Sequence, residues 1–247
     1  MNDLKTQKLQ TYSLFAFGLL TIILWNVPGG SMLLYPFTIL GTWFHEMAHG
    51  ITAIILGGNF HELVLFPDGS GYAQFSYTSL FLGRIGKSIV AAAGPFGPTV
   101  AGAVFIMAST NKKATEWILY IFSFLLIISF LIWVRPVISW GFLMVLIFAV
   151  SATLISFKAN DKFKTLTIQF IAVQAFISLY QSIGYLFSSG ANVGGTNNMS
   201  DTMVIADNLL LPYWFWATLI LIFNAITVYA SLKYYFNKLK IIDNGIS

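Results

Sequence analysis

Apolar residues in this chain come in long blocks separated by short polar stretches. The first block runs from about Tyr12 to Val27 and stops at Pro28-Gly29-Gly30; the second, about Met32 to Leu56, stops at Gly57-Gly58. Later blocks cover about Ser88 to Ala108, Trp117 to Val134, Val137 to Phe157, Leu166 to Phe187 and Tyr213 to Leu232. Their lengths approach the roughly 20 residues that an α-helix needs to cross a bilayer core. Two stretches break the pattern. Asn59 to Phe66 and Tyr72 to Tyr77 partly alternate, and Pro67-Asp68-Gly69-Ser70-Gly71 between them is a strong turn signal, so residues 59–78 are predicted as a small β-hairpin insertion. Residues 188–211 open on Ser-Ser-Gly-Ala-Asn-Val-Gly-Gly-Thr-Asn-Asn-Met-Ser, which predicts a flexible polar loop.

The fold expected is therefore an all-α polytopic membrane protein of about six or seven transmembrane helices, with a small β-hairpin after the second, forming one domain over residues 1–247. Composition agrees: 57% of residues are hydrophobic, 9% are charged, and mean hydropathy is +0.77. A soluble domain draws about a quarter of its residues from the charged set to make its surface. The net charge of +4 is scattered, with no basic patch that would suit nucleic acid. Absence of cysteine removes thiolate metal sites and cysteine nucleophiles. Met1 to Gln10 is polar with Lys5 and Lys8 and leads into an apolar run with no small-residue cleavage site, so a retained first helix is expected. Ala91-Ala92-Ala93-Gly94-Pro95-Phe96-Gly97-Pro98 places small residues and two prolines inside a span, where such backbone must be buried in protein or line a cavity.

The chemistry is concentrated in Trp43-Phe44-His45-Glu46-Met47-Ala48-His49-Gly50. Four residues apart on a helix, His45 and His49 share a face and can offer two imidazoles to one Zn²⁺, with Glu46 beside them as the base for a metal-activated water. The alternative is a pair of core histidines held by ordinary polar partners. Ionisable groups in a membrane helix cost about 2–3 kcal/mol each and are usually functional, which favours the metal.

A catalytic zinc site generally has three protein ligands. Counting spans brings the 188–211 region back to the side of the motif and sends Glu116 and Asp161 to the opposite side, leaving Asp201 as the expected third ligand and Asp207 as its alternative. Ser200 suits a helix N-cap, which would deliver Asp201 at a helix start. Asn197 and Asn198 are candidates to bind an oxyanion or substrate, or else simple turn formers. His61, on the hairpin, is read as a solvated side chain rather than a further ligand.

With these residues in place, the chain resembles the site-2 protease family of intramembrane zinc metallopeptidases, specifically its compact branch without appended domains. The likeness rests on His45-Glu46-Met47-Ala48-His49-Gly50 in a membrane helix, Gly57-Gly58 with the turn that follows, the Gly94-Pro95 span, and a late Ser200-Asp201 before a last hydrophobic span. An Asn/Pro-rich stretch ending Leu-Asp-Gly, found in better-known members, is absent. The resemblance implies zinc as cofactor, a membrane protein or peptide as substrate, and hydrolysis of a peptide bond in or near the bilayer. It also implies an integral, multi-pass location in the plasma or inner membrane. Two other functions fit the same cluster: a zinc-binding scaffold without proteolysis, and a metal or proton transporter. The lack of an internal repeat weighs against the transporter. Basic residues count five on the motif's side (Lys5, Lys8, Arg84, Lys87, Arg135) and eight on the other, favouring an external site, while the resemblance favours a cytosolic one.

Overall fold

The long apolar blocks fold as helices because, in lipid, a helix satisfies its own backbone. The computed structural model describes the backbone of residues 2–77 and 80–243, and the side chains of 11–77 and 80–240; Lys5, Lys8 and Thr78 fall outside the described side chains. The elements run α1 (Asn2–Asn26), α2 (Gly30–Ile55), β1 (Asn59–Leu65), β2 (Gly71–Ser76), α3 (Arg84–Ala108), α4 (Lys112–Ile132), α5 (Trp140–Lys158) and α6 (Asp161–Leu186). They continue with β3 (Gly190–Val193), β4 (Thr196–Met199), α7 (Asp201–Asn208) and α8 (Tyr213–Asp243). The chain is an all-α polytopic membrane protein with small hairpins. On α4, Trp117, Ile121, Phe124 and Leu131 are exposed, and on α5 so are Leu143, Ile147, Val150 and Leu154. These stripes, spaced three to four residues apart for the most part, face outward, where lipid is the solvent.

Five helices (α3, α4, α5, α6 and α8) are each long and apolar enough to cross a membrane. Thr11–Asn26 and Gly30–Ile55 pass that test only as a pair, bent by 118° at their break, which gives up to six spans among the described residues. The sequence treats these two blocks as separate spans. The corner between them falls at Pro28-Gly29, where Gly29 takes a φ of 78° that a residue with a side chain resists.

Helix α3 is the hub, packing on α2, α4, α6, α7 and α8. Pro95 and Pro98 sit inside it, so Ala91 and Gly94 lose their usual helical donors. Protein surrounds that irregular backbone, and Asn224 of α8 donates to the Pro95 carbonyl at 3.3 Å. The glutamines of α6 also turn inward: Gln169 accepts from Ser13 at 2.8 Å and donates to Tyr235 at 2.9 Å, and Gln174 donates to Thr21 at 2.7 Å.

The predicted hairpin is present and doubles back along α2. Its turn is held there by Thr42, whose hydroxyl donates to the Gly69 carbonyl, and by Tyr35, which donates to that of Pro67, both at 2.6 Å. Strand β1 is closed on both sides, by β2 and by an isolated bridge from Leu63 to Val134. The polar segment after α6 is not a loop: β3 and β4 form a second hairpin. Gly194 and Gly195 make its two-residue turn, both at positive φ (57° and 86°), the geometry hairpin turns favour. The Val-Gly-Gly-Thr signal was in the sequence, but strands of four residues rich in asparagine carry little β pattern.

Candidate metal centre

Helix α2 carries the first two ligands, and its geometry follows from the four-residue spacing. The His45 and His49 Nε2 atoms lie 3.1 Å apart. His49 Nδ1 is 2.7 Å from the Val90 carbonyl of α3. A carbonyl only accepts, so Nδ1 carries the proton and Nε2 turns its lone pair inward. A partner of this kind fixes ring orientation in metal sites generally.

Asp201 arrives from the other end of the chain. Ser200 caps α7, its hydroxyl accepting from the Met203 amide at 3.2 Å, and donates to the Ser188 carbonyl at 2.5 Å. Thr202 donates to the Leu186 carbonyl at 2.6 Å, tying the first turn of α7 to the end of α6. Arg84 holds the far end of α7 by donating to the Asp207 carbonyl at 2.8 Å. So fixed, Asp201 places Oδ2 3.0 Å from His45 Nε2 and Oδ1 3.2 Å from His49 Nε2. These three side chains form the cluster of metal-ligating groups among the described residues.

The donor set fits a tetrahedral metal. Bonds of about 2.0 Å would separate two ligand atoms by about 3.3 Å, close to the three separations found. Asp201 Oδ2 is buried and receives no well-aligned hydrogen bond despite the nearby ring nitrogen. Two facing Nε2 atoms share at most one proton, whereas a cation among them satisfies every lone pair. Gly94 supplies the room: a Cβ there would lie 2.1 Å from His49 Nε2 and 2.6 Å from His45 Nε2.

Glu46 is buried beside the cluster, on the same turn of α2 as His45 and His49. With His45 it borders a cavity of about 280 Å³ reached by Thr42 of α2, Ser70 of the first hairpin, Tyr185 of α6 and Asn192 of the second hairpin. Tyr185 stands at the cluster itself, its oxygen accepting the Asp201 amide at 3.1 Å and its ring centroid 6.3 Å from that of His45.

His45, Glu46, His49 and Asp201 therefore come together as the sequence predicts. The other candidates do not join them. Asp207 is exposed on α7, and Asn197 and Asn198 are exposed on β4, where Asn198 donates to Thr196 at 3.2 Å. All four residues of β4 are exposed, and β3 lines the cavity instead. His61 sits exposed at a bulge in β1 and pairs with Ser76 at 2.5 Å. Val90 and Tyr185 went unread in the sequence, and Gly94 was read only within a run of small residues and prolines that must be buried or line a cavity. Their roles come from packing, and a tyrosine at a helix end before a polar stretch reads as an interfacial anchor.

Fold and centre together define a polytopic membrane protein with a buried two-histidine, one-carboxylate cluster. A family model described as Peptidase M50B-like matches residues 14–231. The chain belongs to that family, in keeping with the site-2 protease-like resemblance of its motifs. No curated protein and no solved structure matches it.

Proposed function

We propose that the chain is an intramembrane zinc metalloprotease that hydrolyses a peptide bond in or near a membrane-spanning substrate. The observation that carries this reading is the convergence of His45, His49 and Asp201 around the space left by Gly94, with Glu46 between that cluster and a cavity. Zinc, when bound, supplies a Lewis acid that lowers the pKa of water towards about 7 and polarises a carbonyl. The rest of the work belongs to the chain. His49, locked by Val90, keeps its Nε2 lone pair turned inward. Glu46 takes a proton from the attacking water and returns it to the leaving amine.

Thr38, Thr42, Ser70, Ser178 and Ser182 are among the residues that line the cavity, and such side chains suit the entry of water towards the cluster. Strand β1 pairs with β2 on one side and meets Val134 at Leu63 on the other, while among the described residues the outer edge of β2 pairs with no strand. An unwound substrate segment would add there, using backbone hydrogen bonds for affinity. Helical substrate must unwind first, since intact helix hydrogen bonds leave no free groups for pairing.

Glu46→Gln tests the reading. This variant is expected to keep one zinc per chain and to lose turnover by about 10²–10⁴-fold. Zinc retained with turnover equal to wild type removes Glu46 as the base. Zinc retained with no Glu46-dependent turnover of any membrane peptide, in wild type or variant, is the result a non-proteolytic scaffold gives.

A further inference from the structure

Resting on the proteolytic reading, we infer that Tyr185 is a catalytic residue, its phenol donating a hydrogen bond to the oxyanion formed when water adds to the scissile carbonyl. A hydroxyl has one proton to give and two lone pairs. The oxygen of Tyr185 already accepts the Asp201 amide at 3.1 Å, which turns the proton away from that amide. The phenol stands at the wall of the cavity that His45 and Glu46 also line. Its position is well determined. The ring meets His45 edge-on, and the next residue, Leu186, is fully buried and accepts from Thr202 of α7.

Of the other donors near the site, His49 Nδ1 serves Val90, and Asn197 and Asn198 are exposed on β4. Gln181 and Asn192 also line the cavity, but Tyr185 is the lining donor that contacts both Asp201 and His45. An oxyanion needs a donor aimed at where charge develops, held in place beforehand. Tyr185 meets both conditions. No atoms are exchanged with it: water adds to the carbonyl, Glu46 moves the proton, and Tyr185 stabilises the negative oxygen until the C–N bond breaks.

Full-length wild type, Tyr185→Phe, Tyr185→Leu and Glu46→Gln are compared in detergent micelles. The substrate is an internally quenched Ala/Gly/Leu transmembrane peptide, and zinc content is measured for each. An Ala-Gly phosphinate dipeptide, whose tetrahedral anion mimics the adduct, is titrated as a binding probe independent of turnover. Tyr185→Phe is expected to keep one zinc per chain and an unchanged KM, while kcat falls on the order of 10²-fold and phosphinate Kd rises by a similar factor. Tyr185→Leu is expected to match Phe in kcat, because the hydroxyl and not the ring is the active part. Zinc loss that grows from Phe to Leu and accounts for the lost activity overturns the inference in favour of packing around Asp201. A Tyr185→Phe enzyme as fast as wild type overturns it alone, leaving the protease reading standing. A zinc-loaded wild type that is no faster than Glu46→Gln overturns both.

Discussion

Asp161 pairs with Lys112 at 2.7 Å and Glu116 with Lys164 at 3.7 Å, where α4 and α6 begin. Asp201, on the short helix α7, faces the imidazoles of His45 and His49 instead. The side chain of Asp161 is 52% exposed and that of Asp201 only 11%. An acid beside an ammonium and open to water is already neutralised and solvated, so it asks nothing more of its surroundings. A buried acid facing ring nitrogens needs a compensating positive charge, and burial without one is costly. A divalent cation supplies that charge and at the same time uses both ring lone pairs. On the proposed zinc reading, metal affinity and folding are coupled at Asp201 and independent at Asp161.

The sharpest way to break this contrast is to remove each acid in turn. Asp201→Ala is expected to lower zinc affinity by more than about 10²-fold, beyond the loss typical of an outer partner, whereas Asp161→Ala leaves zinc content at one per chain. Metal analysis of the purified variants checks both. Equal zinc content in the two would end the distinction.

A subtler change leaves every ligand in place. Gly94→Ala puts a methyl 2.1 Å from His49 Nε2, so the rings must move apart although α3 itself prefers alanine to glycine. The expected outcome is a loss of zinc affinity of about 10–100-fold with unchanged helicity, read by competition with a chelator and circular dichroism. Unchanged affinity would show that the space beside Gly94 does not belong to the metal.

The smallest effect concerns an acid satisfied without any cation. In the turn of the first hairpin, the Ser70 hydroxyl and amide donate to Asp68 at 2.6 and 2.9 Å and hold its carboxyl below the ordinary carboxylate value. A lowered folded pKa means that the clasp contributes fully above about pH 4 and is lost as pH falls through the lowered value. Because Asp68 is exposed, the contribution is small. Thermal midpoints of wild type and Asp68→Asn should differ slightly at pH 7 and converge in acid. A difference that grows on acidification would reverse the sign of this linkage.

The second hairpin shows where sequence patterning runs thin. The first hairpin was readable because Phe60, Leu63, Val64 and Leu65 make β1 apolar and buried beside a clear turn. Strands β3 and β4 have no such face; they are held by the Gly194-Gly195 turn and by the approach of Gly194 to the Phe66 ring, where a Cβ would lie 2.1 Å away. A strand without an apolar face leaves no trace in hydropathy. The corner between α1 and α2 escaped for a related reason, since two apolar blocks look the same whether they run straight across or bend by 118°.

Local spacing alone set what a helix determines by itself: the shared face of His45 and His49, the position of Glu46, and the capping of α7 by Ser200 that brings Asp201 to a helix start. Span counting added which side each acid must occupy, because a chain that crosses a membrane alternates sides whatever its tertiary details. Only the folded structure decided the rest. Seating Asp201, the acid the sequence already preferred, against the two imidazoles, giving Gly94 its empty space, locking His49 with Val90 and bringing Tyr185 to the cluster all depend on contacts between residues far apart in the chain, and such contacts leave no periodic mark in the order of residues.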